Sequence, residues 1–377
     1  MLLVSIYCFL LVISGCYAFQ RVKSSGFSPR SGLRSSSRLM ELKMAAPVSV
    51  GIVGATGAVG EEILKVMENR NFACKDLTLF ASERSAGKVV NSKYGDITLE
   101  PFSFEKASSL DVLLLAVGGE FSLEWAEKLA DAGVLVIDNS SAFRQKEGVP
   151  LVVPEINIAA AKGKKLIANP NCTTAIALMA LWPIHQKYKI KKAIISTYQA
   201  ASGAGAPGMQ ELKDGMAAIV GGGEAKNEYF AHPLPYNIIP HIDAFQDNKY
   251  TKEEMKIVWE TRKIMDSPDI KVSCTCVRIP TLRAHSEAIT LELERPASPE
   301  EVTALLQGAE GVEVVDDPEA LKYPMPKTST YKYDVEVGRI RRNDVFDDNG
   351  LDIFVCGDQL LRGAALNAVL IAEKMVA

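Results

Sequence analysis

The stretch "VSVGIVGATGAVGEEILKVMEN", residues 48 to 69, constrains the fold more than any other. An apolar β-run at 48–53 meets a glycine-rich turn, and Ile63, Leu64 and Met67 then recur at helical spacing. Gly54, Gly57 and Gly60 stand at i, i+3 and i+6 between strand and helix. Backbone there can approach a pyrophosphate, whose charge then faces the N–H groups of the helix start. The spacing is GxxGxxG rather than the commoner GxGxxG, so alone it also fits a tight turn without a ligand. "LTLFAS", "DVLLLAVGG" and "VLVIDNS" follow as continuous apolar runs, the kind buried on both faces of a parallel sheet. Between the last two, "FSLEWAEKLADAG" reads as a helix closed by Gly133. The alternation predicts an α/β protein, with a Rossmann-type doubly wound parallel sheet domain over 47–171.

After Cys172 the pattern changes. "KKAIISTYQAAS", "DIKVSCTCVRIP", "HSEAITLEL" and "VEVGRIRR" read as strands, while "TKEEMKIVWETRKIM" and "SPEEVTALLQGA" read as helices. This grouping predicts an α+β, mostly antiparallel domain over 172–357. "VGGGEAKNEYFAHPLPYNIIPHID" is a Gly/Pro-broken excursion, a surface loop or an interface arm. The final "DQLLRGAALNAVLIAEKMV", within 358–377, reads as an apolar helix returning to the first domain.

Charge separates the first 46 residues from the rest. Of 42 Lys/Arg and 46 Asp/Glu, six and one respectively fall there, which leaves an acidic remainder without a basic run. Such a remainder offers no surface for nucleic acid. "LLVSIYCFLLVI" with the small residues of "GCYA" reads as a cleaved signal, and "FQRVKSSGFSPRSGLRSSSRLM" has the Ser/Arg-rich, acid-free composition of a transit peptide. Together they resemble a bipartite plastid leader, which places the processed protein in the stroma; a plain secretory signal is the alternative. No later stretch reaches the ~18 apolar residues of a membrane helix, so no stable membrane association is expected. Cys74, Cys172, Cys274, Cys276 and Cys356 are too scattered for a disulfide framework. No Cys/His cluster has metal-ligand spacing.

Three places can carry chemistry. In "FASERSAGK", Arg84 and Ser85 suit a 2′-phosphate and hence NADP, while Glu83 keeps NAD open. In "NPNCTT", Cys172 stands at a helix start, with Asn171 at the cap and Thr173 opening the helix. Helix-start N–H groups lower a thiol's pKa, yet free cysteines are often buried filler, and position alone does not decide. Among four histidines, His285 shares a segment with Arg278 and Arg283 and is the best acid/base candidate.

"GATGAVG", "NPNCTT", "STYQAASGAG", "RIPTLRAHSE" and "RGAALNAV" occur in an order that resembles the aspartate-semialdehyde dehydrogenase family, from about Val48 to the C-terminus. The resemblance implies that Cys172 is an acyl-thioester nucleophile, Gln199 its orienting amide and His285 the acid/base. It assigns Arg278 to a substrate carboxylate, Glu253 to an ammonium, and Arg144, Asn171 and Lys256 to phosphate. NADP would lie along Gly54, Thr56, Gly57, Ala58, Val59, Gly60, Arg84 and Ser85, with Ser202, Gly203 and Gln359 beside the nicotinamide. Gln359 replaces an Asn common in the family but keeps the amide. The implied reaction is NADPH-dependent conversion of L-aspartyl-4-phosphate to L-aspartate 4-semialdehyde and phosphate. It serves biosynthesis of lysine (through diaminopimelate), threonine, methionine and isoleucine, in a homodimer, with a tetramer left open. N-acetyl-γ-glutamyl-phosphate reductases share this fold and thiol chemistry, but tend to carry Gly and Tyr where Asn171 and Thr173 stand. A non-catalytic nucleotide sensor would leave Cys172, Gln199, Arg278 and His285 unexplained.

Overall fold

The computed structural model describes residues 46–377; the leader expected over 1–46 lies outside the described residues, apart from Ala46. Strand β1 (Val48–Val53) feeds helix α1 (Ala58–Arg70), and β2 (Cys74–Phe80) returns beside β1. A small antiparallel hairpin follows, β3 (Val89–Ser92) and β4 (Gly95–Thr98). Then come α2 (Phe104–Ser108), β5 (Val112–Leu115), α3 (Gly119–Asp131), β6 (Leu135–Asp138), α4 (Pro154–Asn157) and β7 (Leu166–Ala168). The five strands outside the hairpin pair in parallel in the order β2-β1-β5-β6-β7. Their direction of winding reverses at β1/β5, and doubly wound sheets take ligands beyond the strand ends at such a point.

The glycine turn sits at that reversal. Gly54 has φ +82°, and a Cβ on it would come within 2.4 Å of the Ala116 carbonyl oxygen, so no side chain fits. The sheet is buried on both faces, which explains its continuous apolar runs. Leu113, Leu115 and Val136 enter one core, while Val112, Leu114 and Ile137 enter another beneath α1.

Helix α5 (Cys172–Tyr188) joins the two halves. It is apolar on nearly every side because both sheets cover it. Its core contains Leu115 and Val136 of the first sheet with Ile195, Ile289 and Val355 of the second. The second sheet is built from β8 (Ile190–Gln199), β9 (Lys271–Arg278), β10 (His285–Leu293), β11 (Val312–Val314), β12 (Val335–Arg342) and β13 (Gly350–Gly357). Around them run α6 (Gly205–Val220), α7 (Lys252–Ile264), α8 (Pro299–Gln307) and α9 (Pro326–Ser329). The strand order is β11-β12-β13-β10-β8-β9, with β8–β9 and β11–β12 parallel and the other pairings antiparallel. Helix α10 (Leu366–Val376) then packs against the first sheet's outer core, where Leu366, Val369 and Ile371 meet Ile63 and Met67. The excursion after α6 forms no helix or regular strand and leaves Tyr229, Tyr236, Ile238 and Phe245 exposed. Among the described residues no helix is long and apolar enough to cross a membrane.

Candidate active site

Sheet register brings the first three residues together. Gln199 ends β8 and pairs with Arg278, the last residue of the parallel strand β9. His285 opens β10, which returns antiparallel along the other side of β8. A Cβ placed on Gly203 would lie 2.9 Å from Arg278 Nη1 and 3.2 Å from His285 Nε2, so both side chains approach one point. Arg278 Nη1 donates to the Ala200 carbonyl at 2.6 Å, and the Ala200 N–H donates to His285 Nδ1 at 3.0 Å.

Cys172 is the first residue of α5, one position earlier than the sequence suggested, with Asn171 as its N-cap. Behind it stands Gly363, in the π-type turn Leu361–Ala365. A Cβ on Gly363 would come within 2.6 Å of Cys172 Cβ and 2.8 Å of its Cα. The "RGAALNAV" segment therefore seats the cysteine.

Glu253 links these residues. Its Oε1 accepts from Asn171 Nδ2 at 2.8 Å and from Gln199 Nε2 at 3.2 Å. Its Oε2 accepts from Lys256 Nζ at 3.0 Å, and that ammonium also donates to Asp243 Oδ2 at 2.8 Å. Two turns along α7, Glu260 accepts from Asn171 N–H at 2.6 Å and from Arg144 Nη1 at 3.1 Å. Arg144 also donates to the Asn169 and Asn139 carbonyls, both at 2.8 Å, so three of its five donors hold the fold and two remain. Sequence reading missed Glu260; its signal was the i, i+3, i+7 spacing of Glu253, Lys256 and Glu260 on one helix face.

Residues 49–164 match the semialdehyde dehydrogenase NAD binding domain, and residues 181–362 match the semialdehyde dehydrogenase dimerisation domain. The aspartate-semialdehyde dehydrogenase of Aquifex aeolicus is 49% identical over 332 residues, covering 87% of this chain and 97% of that protein. The chain belongs to the aspartate-semialdehyde dehydrogenase family. That of Synechocystis is 46% identical over 334 residues, covering 88% of this chain and 98% of its own. Among solved structures, aspartate semialdehyde dehydrogenase II of Vibrio cholerae complexed with ASA superposes with a TM-score of 0.83 at 41% identity, covering 87% of this chain and 98% of that one. The Candida albicans enzyme with NADP superposes at 0.67 with 25% identity, covering 88% and 99%. The chain is thus an oxidoreductase of this family with a nucleotide-binding domain.

Burial sets the protonation states within the family's fold. Burial pushes the Cys172 thiol up, and Glu253 adds to the push, to about 12 against the smaller opposing pull of Thr173, Arg144 and Arg278. This corrects the expectation of a depressed thiol. The N–H groups of Thr173 and Thr174 are already taken by Asn171 Oδ1, at 3.0 and 3.2 Å, so the helix start has less to offer the sulfur. One side of Cys172 stays open to solvent, which moderates the push for a hydrated thiolate. Burial, then Arg278, draws His285 down to about 3. Its Nδ1 accepts a backbone N–H, so the neutral ring carries its proton on Nε2, which has no partner among the described residues. Glu253 is buried, which would raise its pKa, but Lys256, Asn171 and Gln199 hold it at about 2. Burial likewise acts against Lys256, yet Glu253 and Asp243 keep its pKa raised.

The glycine turn fits a dinucleotide. α1 opens on Gly57 with no side-chain cap, so its first N–H groups are not taken by a side chain, and Thr56 at the turn is exposed while Ala58 and Val59 are half-buried. Arg84 is exposed and Ser85 half-buried just past β2, the strand next to β1. Gln359 is more committed than its sequence position suggested: Oε1 accepts from Ala284 N–H at 2.8 Å, and Nε2 donates to Ser202 Oγ. Among the described residues no group of three or more His, Cys, Asp or Glu could hold a metal ion.

Proposed function

We propose that the chain converts L-aspartyl-4-phosphate to L-aspartate 4-semialdehyde through a thioester on Cys172, with NADPH as the reductant. The reading is carried by one observation: Glu253 bonds both Gln199 and Asn171, the residue before Cys172, while Ala200, next to Gln199, bonds both His285 and Arg278. Arg278 presents a planar fork to the substrate α-carboxylate, and Glu253 keeps a negative charge for its ammonium. Lys256, the residual donors of Arg144 and the Asn171 amide hold the phosphate. Cys172 Sγ attacks the acyl carbon, the C–O bond to phosphate breaks with the thiol proton leaving on the phosphate, and Gln199 orients the thioester. When bound along the glycine turn, NADPH would supply the hydride that reduces this carbon. His285 Nε2–H protonates the carbonyl oxygen, takes that proton back as the C–S bond breaks to release aldehyde, and the departing thiolate is reprotonated by water.

Support for NADP over NAD comes from Arg84 and Ser85 and from the Candida relative described with NADP. Assembly as a homodimer is supported by the dimerisation-domain match and by Ile194 and Tyr198, exposed on the outer face of the second sheet. A plastid location rests on the composition of residues 1–46. The deciding assay is phosphate-dependent reduction of NADP by aspartate semialdehyde. Wild-type protein is expected to turn over, and Cys172→Ser to retain NADP binding and lose at least about a hundredfold in kcat, because its hydroxyl stays protonated. Wild-type-like turnover by the serine variant would rule out the thioester.

A further inference from the structure

The step into His285 is conformationally unusual. Ala284, fully buried, has φ +69°, a left-handed conformation that a residue with a Cβ rarely adopts. Strain of this kind persists only where the surroundings over-determine it. Here the chain entering Ala284 is tethered twice. Its own N–H donates to Gln359 Oε1 at 2.8 Å. On the N-terminal side, Arg283 Nε donates to Asp358 Oδ2 at 2.6 Å and Nη1 donates to Glu62 Oε1 at 3.0 Å. The guanidinium also lies 4.3 Å from the centre of the Tyr331 ring.

The two carboxylates come from different parts of the molecule. Glu62 stands on α1, the helix that the glycine turn opens. Asp358 Oδ1 accepts from the Leu360 and Leu361 N–H groups and so shapes the turn that seats Cys172. Arg283 therefore ties the nucleotide helix, the turn behind the cysteine and the segment before His285 to one guanidinium.

We infer that Arg283 is a positioning residue for His285. Its clamp on Glu62 and Asp358 holds Ala284 left-handed, which keeps His285 Nδ1 on the Ala200 N–H and leaves Nε2–H facing Arg278 and Gly203. This rests on His285 acting as the acid of the proposed reaction. Lysine in place of Arg283 keeps the charge but cannot bond two carboxylates through a rigid fork.

The test uses the full chain with Arg283→Lys, and with Ala284→Gly added in that background. Arg283→Lys is expected to lower kcat by about tenfold, a part of what a well-placed acid contributes, with both KM values within about twofold. Glycine takes the left-handed conformation without strain, so the double variant is expected to regain most of the lost kcat. A merely structural or electrostatic role for Arg283 predicts no such rescue. Glu62→Gln, which weakens the clamp from the α1 side, should reproduce the loss if Arg283→Lys folds poorly by circular dichroism.

A second readout does not depend on turnover. In 15N-histidine spectra, signals missing from His285→Asn identify His285. Wild-type protein should show a single Nε2–H tautomer, and Arg283→Lys an average of both. If wild-type protein fails to turn over aspartate semialdehyde, the proposed reaction is wrong, and the tautomer comparison still decides the role of Arg283. Full kcat with an unchanged tautomer in Arg283→Lys, or no recovery on adding glycine, overturns the inference.

Discussion

Glu253 shows how much of a site can hang on one side chain. Three donors already reach it, from Asn171, Gln199 and Lys256, and a carboxylate offers roughly four acceptor positions, so one remains for a substrate ammonium. Glu253→Gln removes the charge that Lys256 and the proposed substrate ammonium would share. We expect kcat/KM to fall roughly 30- to 1,000-fold, equivalent to about 2–4 kcal/mol, with secondary structure intact by circular dichroism. A loss below about threefold would remove Glu253 from substrate binding. Cys172 carries a second expectation at this scale. A thiol pushed above its ordinary pKa forms thiolate only in alkali, so the rate of iodoacetamide modification of free enzyme should still be rising above about pH 9. A plateau below about pH 8 would show a depressed thiol instead. The candidate cysteine was legible in "NPNCTT" because a Pro-broken loop entering an apolar helix is a local pattern. The direction of its pKa was not, because burial and Glu253 come from residues far along the chain.

Elements were readable where their signals are local. The glycine turn, the apolar strands of the first sheet and α7, with its Thr251 capping box, all follow from short windows of sequence. The β3–β4 hairpin escaped notice because its residues are largely exposed and show no apolar run. The parallel pairings β8–β9 and β11–β12 escaped for another reason: strand partners are chosen by tertiary packing, which strand propensity does not encode. The π-type turn at Leu361–Ala365 was hidden inside what reads as one continuous helix. Its function can be probed through Gly363. Adding a methyl group there must displace Cys172, since the new Cβ would sit 2.6 Å from the cysteine's own. Gly363→Ala should cost about 1–3 kcal/mol of stability and at least about tenfold in kcat, with NADP affinity unchanged in a fluorescence titration. If kcat is unaltered while stability drops, the turn only supports the fold.

At the scale of the whole molecule, the site's burial couples protonation to stability. Between about pH 3 and its ordinary value of 6.5, His285 binds fewer protons folded than unfolded. Its contribution is therefore complete above pH 6.5 and is lost as pH falls toward 3. Glu253 has the same sign in a lower window, from its ordinary 4.5 down to about 2. Glu260 and the fully buried Glu287, which has no partner among the described residues, are both raised by burial and act oppositely: their contribution is complete below 4.5 and is lost as pH rises. Between pH 6.5 and 4.5 Glu253 is silent, while Glu260, Glu287 and the depressed His185 contribute alike to wild type and to a His285→Asn variant. The difference between the two proteins then isolates His285. Denaturant midpoints at pH 7.5, 6.5, 5.5 and 4.5, at one fixed protein concentration because the proposed homodimer would make them concentration-dependent, should show wild type losing more stability than the variant. One proton sets the excess at no more than about 1.4 kcal/mol per pH unit. Parallel curves would mean that His285 is solvated or charged in the folded protein, and would remove the neutral Nε2–H on which its role as acid depends.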